Sequence, residues 1–287
     1  MIDKSKSWTV AEMCRKLRNL LAPIYGVGEA TAMTNLIFHS LKGWSLTDLT
    51  IKSDTVLSEY MIQKIDDIVK RLLKNEPIQY VLGESRFYGM SLKVTPDVLI
   101  PRQETEELVD LIVEENSNPD LKVLDIGTGS GAIAIALSRN LKFPQITALD
   151  VSENALKVAR ENADVLHARI QWLCQDIFTY DPDADTFDII VSNPPYITES
   201  EKQFMESNVL DFEPHTALFV PDDNPLIYYS RIAETASVAL KDNGRLYLEI
   251  NPMFSDQLRE MLLSAKFRDV RILNDISHRN RFAIARK

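Results

Sequence analysis

The run Asn193-Pro194-Pro195-Tyr196 places a carboxamide, two prolines and a phenol directly after a strand-like segment, Asp188-Ile189-Ile190-Val191-Ser192. Proline fixes φ at roughly −65° and has no N–H, so the pair makes a stiff segment whose carbonyls are left to accept hydrogen bonds. The Asn193 side-chain oxygen and the Pro194 carbonyl can take both hydrogens of an amide or exocyclic amine. The Tyr196 ring can stack on the same planar group. A planar amide nitrogen is a poor nucleophile because its lone pair is delocalised. Two fixed acceptors stabilise the positive charge that develops on it and aim its lone pair at an electrophile, with no strong base needed before attack. The plain structural alternative is a strand-terminating turn with an Asn cap and a packed Tyr.

A second cluster lies upstream, in Leu124-Asp125-Ile126-Gly127-Thr128-Gly129-Ser130-Gly131-Ala132. Glycines at 127, 129 and 131 let the backbone turn sharply and approach a ligand without side-chain obstruction. Gly127, Gly129 and Ala132 also fit the looser form of a dinucleotide fingerprint. Asp150, 23 residues beyond Gly127, ends the following strand, where a carboxylate can accept from both ribose hydroxyls. Asp176 ends the next strand and can meet an adenine amino group. Either aspartate alone is as well explained as a helix cap. Together, the three successive strand ends point to an adenosine-type ligand, and a dinucleotide satisfies them equally. A methyl sulfonium carried on adenosine suits the amide cradle. Hydride chemistry with a nicotinamide has no evident use for it.

These residues need a sheet whose carboxyl edge gathers them. From residue 121 strands and helices alternate: strands at 121–126, 145–150, 170–173, 187–192, 245–250, 270–273 and 281–284, with helices at 131–139, 153–164, 226–240 and 255–265. The pattern predicts an α/β fold, a Rossmann-like, mostly parallel seven-stranded sheet covered on both faces. A small all-α domain is expected over residues 1–77. Its apolar positions recur near a 3.6-residue period in Val10–Leu21, Gly28–Leu41 and Ser58–Leu73, with a short piece from Leu46. Residues 78–100 are strand-prone and broken by Gly83, Gly89 and Pro96, which predicts a β-hairpin connector. The third domain is then 101–287. Pro101 opens a helix at about Glu104, and the basic turn of His278 and Arg279–Arg281 is expected to be a solvated loop.

Composition narrows the function classes. The net charge of −10 is uneven: residues 1–85 carry 11 Lys/Arg against 10 Asp/Glu, and the remainder 21 against 32. A duplex-DNA reader relies on a basic stripe for much of its affinity, and none is evident. No apolar run approaches the roughly 20 residues of a membrane span, and no secretory signal is visible behind Met1. Cys14 and Cys174 are far apart and the four histidines lack ligand spacing, so no metal site is expected. A monomeric, reduced, cytoplasmic enzyme with no membrane or direct nucleic-acid contact is the resulting expectation.

The combination of Asp125–Gly131 with Asn193–Tyr196 resembles the class I S-adenosylmethionine-dependent methyltransferases that modify planar nitrogens, adenine-N6 DNA methyltransferases among them. Phe87-Tyr88-Gly89, the stretch Val98-Leu99-Ile100-Pro101-Arg102-Gln103-Glu104-Thr105-Glu106, Glu213-Pro214 and Ala217-Leu218 narrow the resemblance to the release factor glutamine methyltransferase family. That resemblance implies methylation of the glutamine N5 in the Gly-Gly-Gln motif of class 1 peptide-chain release factors, with S-adenosyl-L-methionine converted to S-adenosyl-L-homocysteine. It assigns donor binding to Asp125, Gly127, Thr128, Gly129, Ser130, Gly131, Asp150, Asp176, Ile177 and Asn193. Glutamine binding falls to Asn193, Pro194, Pro195 and Tyr196, catalysis to Asn193, Pro194 and Tyr196, a channel wall to Arg102, and substrate docking to the helical domain. Three positions depart from the family pattern: Gln103 replaces a second proline, Ile177 a frequent tryptophan, and Asn251-Pro252-Met253-Phe254 a more usual Gly- and Gln-containing stretch. Competing readings are an adenine-N6 DNA methyltransferase, which must flip its base into the same cradle, and a non-catalytic adaptor.

Overall fold

The computed structural model describes residues 2–287, which divide into two compact units. One comprises the chain up to Gly83 together with Glu206–Phe212; the other comprises Glu84–Met205 and Glu213–Lys287.

The first unit is helical. The segment Val10–Lys42 starts on a capping box, with the Thr9 side chain accepting from the Glu12 N–H and the Glu12 carboxylate returning to the Thr9 N–H. Gly26, at φ 80°, breaks it into two helical stretches, as the separate periodicities before and after that glycine predict. Leu46–Ile51 and Glu59–Leu72 follow. Met13, Leu17, Leu21, Ile37, Phe38, Ile65 and Leu72 interlock in its core. Helix continues into the predicted connector, since Ile78–Leu82 is helical and ends on Gly83 in the left-handed region. The hairpin itself spans only Glu84–Phe87 and Met90–Lys93. Tyr80 and Val81 have strand-forming side chains, yet burial of Ile78, Tyr80 and Val81 on one short helix outweighs that propensity.

The second unit carries the seven-stranded sheet. Its strands are β1 (Lys122–Ile126), β2 (Gln145–Asp150), β3 (Ile170–Cys174), β4 (Phe187–Ser192), β5 (Leu240–Glu249), β6 (Arg268–Asn274) and β7 (Asn280–Arg286). Their spatial order is β6-β7-β5-β4-β1-β2-β3. All neighbours are parallel except where β7 runs antiparallel between β5 and β6. The covering helices are α1 (Gln103–Glu115), α2 (Ala132–Asn140), α3 (Glu153–Leu166), α4 (Ile227–Ala239) and α5 (Ser255–Ser264).

Alternation along each strand divides the core into two layers. Val123, Ile189, Val191 and Tyr247 face one layer with Leu108, Ile112 and the residues of α2. Leu124, Ile126, Ile190, Leu246 and Leu248 face the other with Ile232, Ala236, Leu258 and Leu262. With both faces covered, the central strands read as near-continuous apolar runs. The basic turn is divided: His278 and Arg279 are exposed in a turn, as expected, and Arg281 is not. Arg281 belongs to β7, its side chain is 13% exposed, and its Nε donates to Asp275 Oδ2 at 3.1 Å. The pairing with Asp275, whose side chain is itself 1% exposed, compensates the Arg281 charge where little water reaches it.

Candidate functional site

The strand order reverses between β1 and β4, and a doubly wound sheet opens a crevice at the carboxyl ends of its strands at such a point. A cavity of about 440 Å³ lies there. Its wall includes Gly127 and Gly129 after β1, Asp150 at the end of β2, Asp176, Ile177 and Phe178 after β3, and Asn193, Pro194 and Pro195 after β4. Ser192 ties the two sides of the seam, its hydroxyl donating to the Ile126 carbonyl at 2.7 Å.

The glycine loop is held from beneath. Asp150 Oδ2 accepts from the Gly129 N–H at 2.8 Å and Oδ1 from the Ser152 N–H at 2.9 Å. The carboxylate therefore locks the loop while presenting its remaining lone pairs to the cavity. Gly131, at φ 82°, is required for packing: a Cβ there would lie 3.1 Å from Ile135 Cδ1 and 3.2 Å from Ala159 Cβ. Gly127 and Gly129 differ, because a Cβ on either meets nothing within 4 Å. The space beside them belongs to the cavity, which fits close approach of a ligand to the backbone. Thr128 and Ser130 are buried outside the cavity wall; the Ser130 carbonyl accepts from Asn162 Nδ2 at 2.9 Å.

Asp125 lies behind the loop, fully buried. Its Oδ2 accepts from the Thr128 hydroxyl at 2.6 Å, whereas Oδ1 has no hydrogen-bond partner among the described residues. Asp125 is outside the cavity wall, and the Ala134 backbone N–H also favours its charged form. Burial pushes the Asp125 pKa up to about 7, with the Thr128 hydrogen bond holding it back. Unfolded, the group ionises near 3.8, so its stabilising contribution is greatest at low pH and is lost as pH rises towards 7. The stability difference between the wild type and Asp125→Asn should thus fall by about 1.4 kcal/mol per pH unit between about pH 4 and pH 7 and level off above. Urea denaturation across that range measures it, and a difference independent of pH would show an ordinary carboxyl.

Asp176 caps the turn after β3, its Oδ1 accepting from the Phe178 N–H at 2.9 Å. Ile177 is buried, and the neighbouring Phe178 ring packs at a tilt against Tyr228, with centroids 5.2 Å apart. The cavity wall on this side thus includes an aromatic pair beside Ile177.

On the β4 side the Asn193 amide has a defined polarity. Nδ2 donates to Thr105 Oγ1 at 3.2 Å, which leaves Oδ1 available as an acceptor. The Tyr196 hydroxyl donates to Glu249 Oε1 at 3.1 Å, and the Tyr196 carbonyl accepts from Asn251 Nδ2 at 3.0 Å. Burial, reinforced by Glu249, raises the Tyr196 pKa far above its ordinary value, so this phenol keeps its proton and is no general base. Arg102 lies outside the cavity wall and pairs with buried Glu213, Nη2 to Oε1 at 2.6 Å, while Glu213 Oε2 accepts from the Ile100 N–H at 3.2 Å. That clamp joins the chain leading from Asp97–Leu99 to the turn carrying Pro214, Thr216 and Ala217, all cavity-wall residues.

Sequence reasoning missed the part played by Thr105, Glu249 and Asn251. The available signal was Glu249 itself, an acidic residue closing the apolar run Leu246-Tyr247-Leu248 where a buried charge needs a reason. Asn251, read only as a departure, caps the following turn through the Met253 N–H and clamps Tyr196.

Among the described residues, no group of acidic, His or Cys side chains could hold a metal ion, and no helix is long and apolar enough to cross a membrane. The family model for the PrmC N-terminal domain matches residues 12–83, and that for the methyltransferase small domain matches residues 104–211. A methyltransferase structure from Pyrococcus furiosus shares the fold, with a TM-score of 0.52 at 17% identity, covering 76% of this chain and 96% of that one. The chain is 39% identical over 260 residues to the release factor glutamine methyltransferase of Flavobacterium psychrophilum, covering 89% of this chain and 91% of the relative. It is 46% identical over 273 residues to that of Bacteroides thetaiotaomicron, covering 94% and 98%. With such relatives matched along nearly their whole length, the chain belongs to the release factor glutamine methyltransferase family.

Proposed function

We propose that this protein methylates the N5 amide nitrogen of the glutamine in the Gly-Gly-Gln motif of class 1 peptide-chain release factors, using S-adenosyl-L-methionine. When bound, the donor supplies a sulfonium methyl group, an electrophile whose bonding electrons leave with sulfur. Gly127 and Gly129 let it approach the loop backbone, Asp150 accepts from its ribose hydroxyls, and Asp176 with Ile177 flanks its adenine. Asp125, Thr128, Ser130 and Gly131 act from behind the cavity wall by shaping the loop, Asp125 through its bond from the Thr128 hydroxyl.

The observation that carries the reading is the polarity of Asn193. Its nitrogen is committed to Thr105 at 3.2 Å, so its oxygen and the Pro194 carbonyl remain as two acceptors for the two hydrogens of one primary amide. Acceptors held in place before reaction stabilise the charge developing on the amide nitrogen without a reorganisation cost. Once the N–C bond has formed, the cationic nitrogen's proton is strongly acidic and passes to water, leaving the neutral N-methyl amide. Pro195 stiffens the cradle, Tyr196 bounds it, and Arg102 braces its approach through Glu213. The helical unit is the docking element for the protein substrate, and the enzyme works as a cytoplasmic monomer.

Isotope-labelled S-adenosyl-L-methionine, offered with purified class 1 release factor or with adenine-containing duplex DNA, tests the reading. Label should enter the release factor and disappear when its Gly-Gly-Gln glutamine is changed to alanine. Label in the DNA alone would replace this reading with an adenine-N6 methyltransferase.

A further inference from the structure

The two ends of an Asn carboxamide have almost the same size and shape, so packing alone barely distinguishes them. A half-turn of Asn193 would present N–H groups to the crevice and abolish its use as an acceptor. We propose that Thr105 and Glu249 are positioning residues that fix this orientation, acting as a one-way hydrogen-bond relay behind Asn193.

The relay joins three elements. Ser192 pairs with Leu248 in the parallel β4–β5 ladder, which brings Glu249 beside Asn193, and Thr105 enters from the first turn of α1. The Thr105 hydroxyl donates to Glu249 Oε2 at 2.7 Å, and Asn193 Nδ2 donates to Thr105 Oγ1 at 3.2 Å. Thr105 is 4% exposed and Glu249 1%, so water does not compete for these bonds.

Direction follows from the inventory of protons. Burial pushes the Glu249 pKa up, and the Thr105 and Tyr196 hydroxyls hold it back by donating to the charged form. As a carboxylate Glu249 only accepts, and its other oxygen is already occupied by the Tyr196 hydroxyl at 3.1 Å. The single Thr105 proton is thereby committed to Glu249, and the Thr105 oxygen can only accept from its other neighbour. Asn193 satisfies it with nitrogen and turns its oxygen to the crevice. A buried carboxylate is expensive to retain where an apolar residue would pack; fixing the direction of the relay gives it a purpose. The inference rests on the reading that Asn193 accepts from the substrate amide.

The test compares Thr105→Val, which keeps the side-chain shape and removes the hydroxyl, with Thr105→Ser, which restores it. Three readouts are taken on the full chain: kcat and KM with release factor, Kd for S-adenosyl-L-methionine by calorimetry, and solvent exchange of the Asn193 side-chain NH2. The last is followed by NMR on isotope-labelled protein and assigned by its loss in Asn193→Ala. Thr105→Val should lower kcat about tenfold or more, shift the donor Kd less than threefold, and speed exchange of the Asn193 NH2. Thr105→Ser should recover most of kcat and the slow exchange. A Thr105→Val enzyme with kcat within twofold of wild type and unchanged NH2 exchange would overturn the relay. Equal losses in kcat, donor affinity and melting temperature, unrelieved by serine, would make Thr105 a packing residue and also overturn it. Should the wild type fail to label release factor, the functional reading falls separately, and the NH2 exchange alone then decides the relay.

Discussion

Replacing Asn193 by alanine should lower kcat by about two to three orders of magnitude while the donor Kd changes only a few-fold. Asn193 lies on the cavity wall, but its amide nitrogen is tied to Thr105, away from the glycine loop. Removing the carboxamide deletes one of two acceptors that strengthen as charge builds on the attacked nitrogen, an interaction worth far more in the transition state than in the bound substrate. The Pro194 carbonyl remains, so residual turnover above background is expected. Single-turnover kinetics with release factor, alongside calorimetry of donor binding, separates the two effects. A parallel collapse of donor affinity would make Asn193 chiefly a donor-pocket residue.

Asp150→Ala should show the opposite pattern, with the donor Kd rising about a hundredfold or more and kcat at saturating donor falling much less. Its carboxylate holds Gly129 and Ser152 by two charge-assisted bonds and lies on the cavity wall. Hydrogen bonds to a charged group are each worth about 1.5–3 kcal/mol. Alanine therefore removes a ligand acceptor and frees the loop that must be shaped before the ligand arrives. Asp150→Asn should fall between: its oxygen can still accept from Gly129, but its NH2 group then opposes the Ser152 N–H. Donor binding within fivefold of wild type for Asp150→Ala would show that the loop holds its shape and its ligand without this side chain.

Strand positions in the second unit were legible because both faces of its sheet are covered, leaving apolar runs that end at Gly, Asp or Pro. The cavity-facing part of the site was legible for the same reason: Asp150 closes β2, Gly127 and Asn193 directly follow β1 and β4, and Asp176 lies two residues past β3, all at one edge. What lay hidden was what stands behind the wall. Thr105, Glu249 and Asn251 act through partners 50 to 144 residues away, and no local period or spacing encodes such pairings. Arg281 was misread for a related reason, since a basic residue in a turn looks solvated until a neighbouring strand encloses it. Residues 78–82 failed differently: strand-prone Tyr80 and Val81 became helix because burial of Ile78, Tyr80 and Val81, rather than propensity, decided the outcome.

The seam at β1 and β4 also divides the proposed roles between two halves of the sheet. Residues proposed to hold the donor descend mainly from β1, β2 and β3, while the amide cradle and its relay descend from β4, β5 and the start of α1. The two groups share the Ser192–Ile126 tie and Asn193 itself. Changes at Tyr196, which is held by Glu249 and Asn251, leave the Asp150 bonds to Gly129 and Ser152 in place. The same partition makes this sheet a chassis for engineering: libraries confined to the β4–β5 side should yield altered acceptor preference at nearly constant donor affinity.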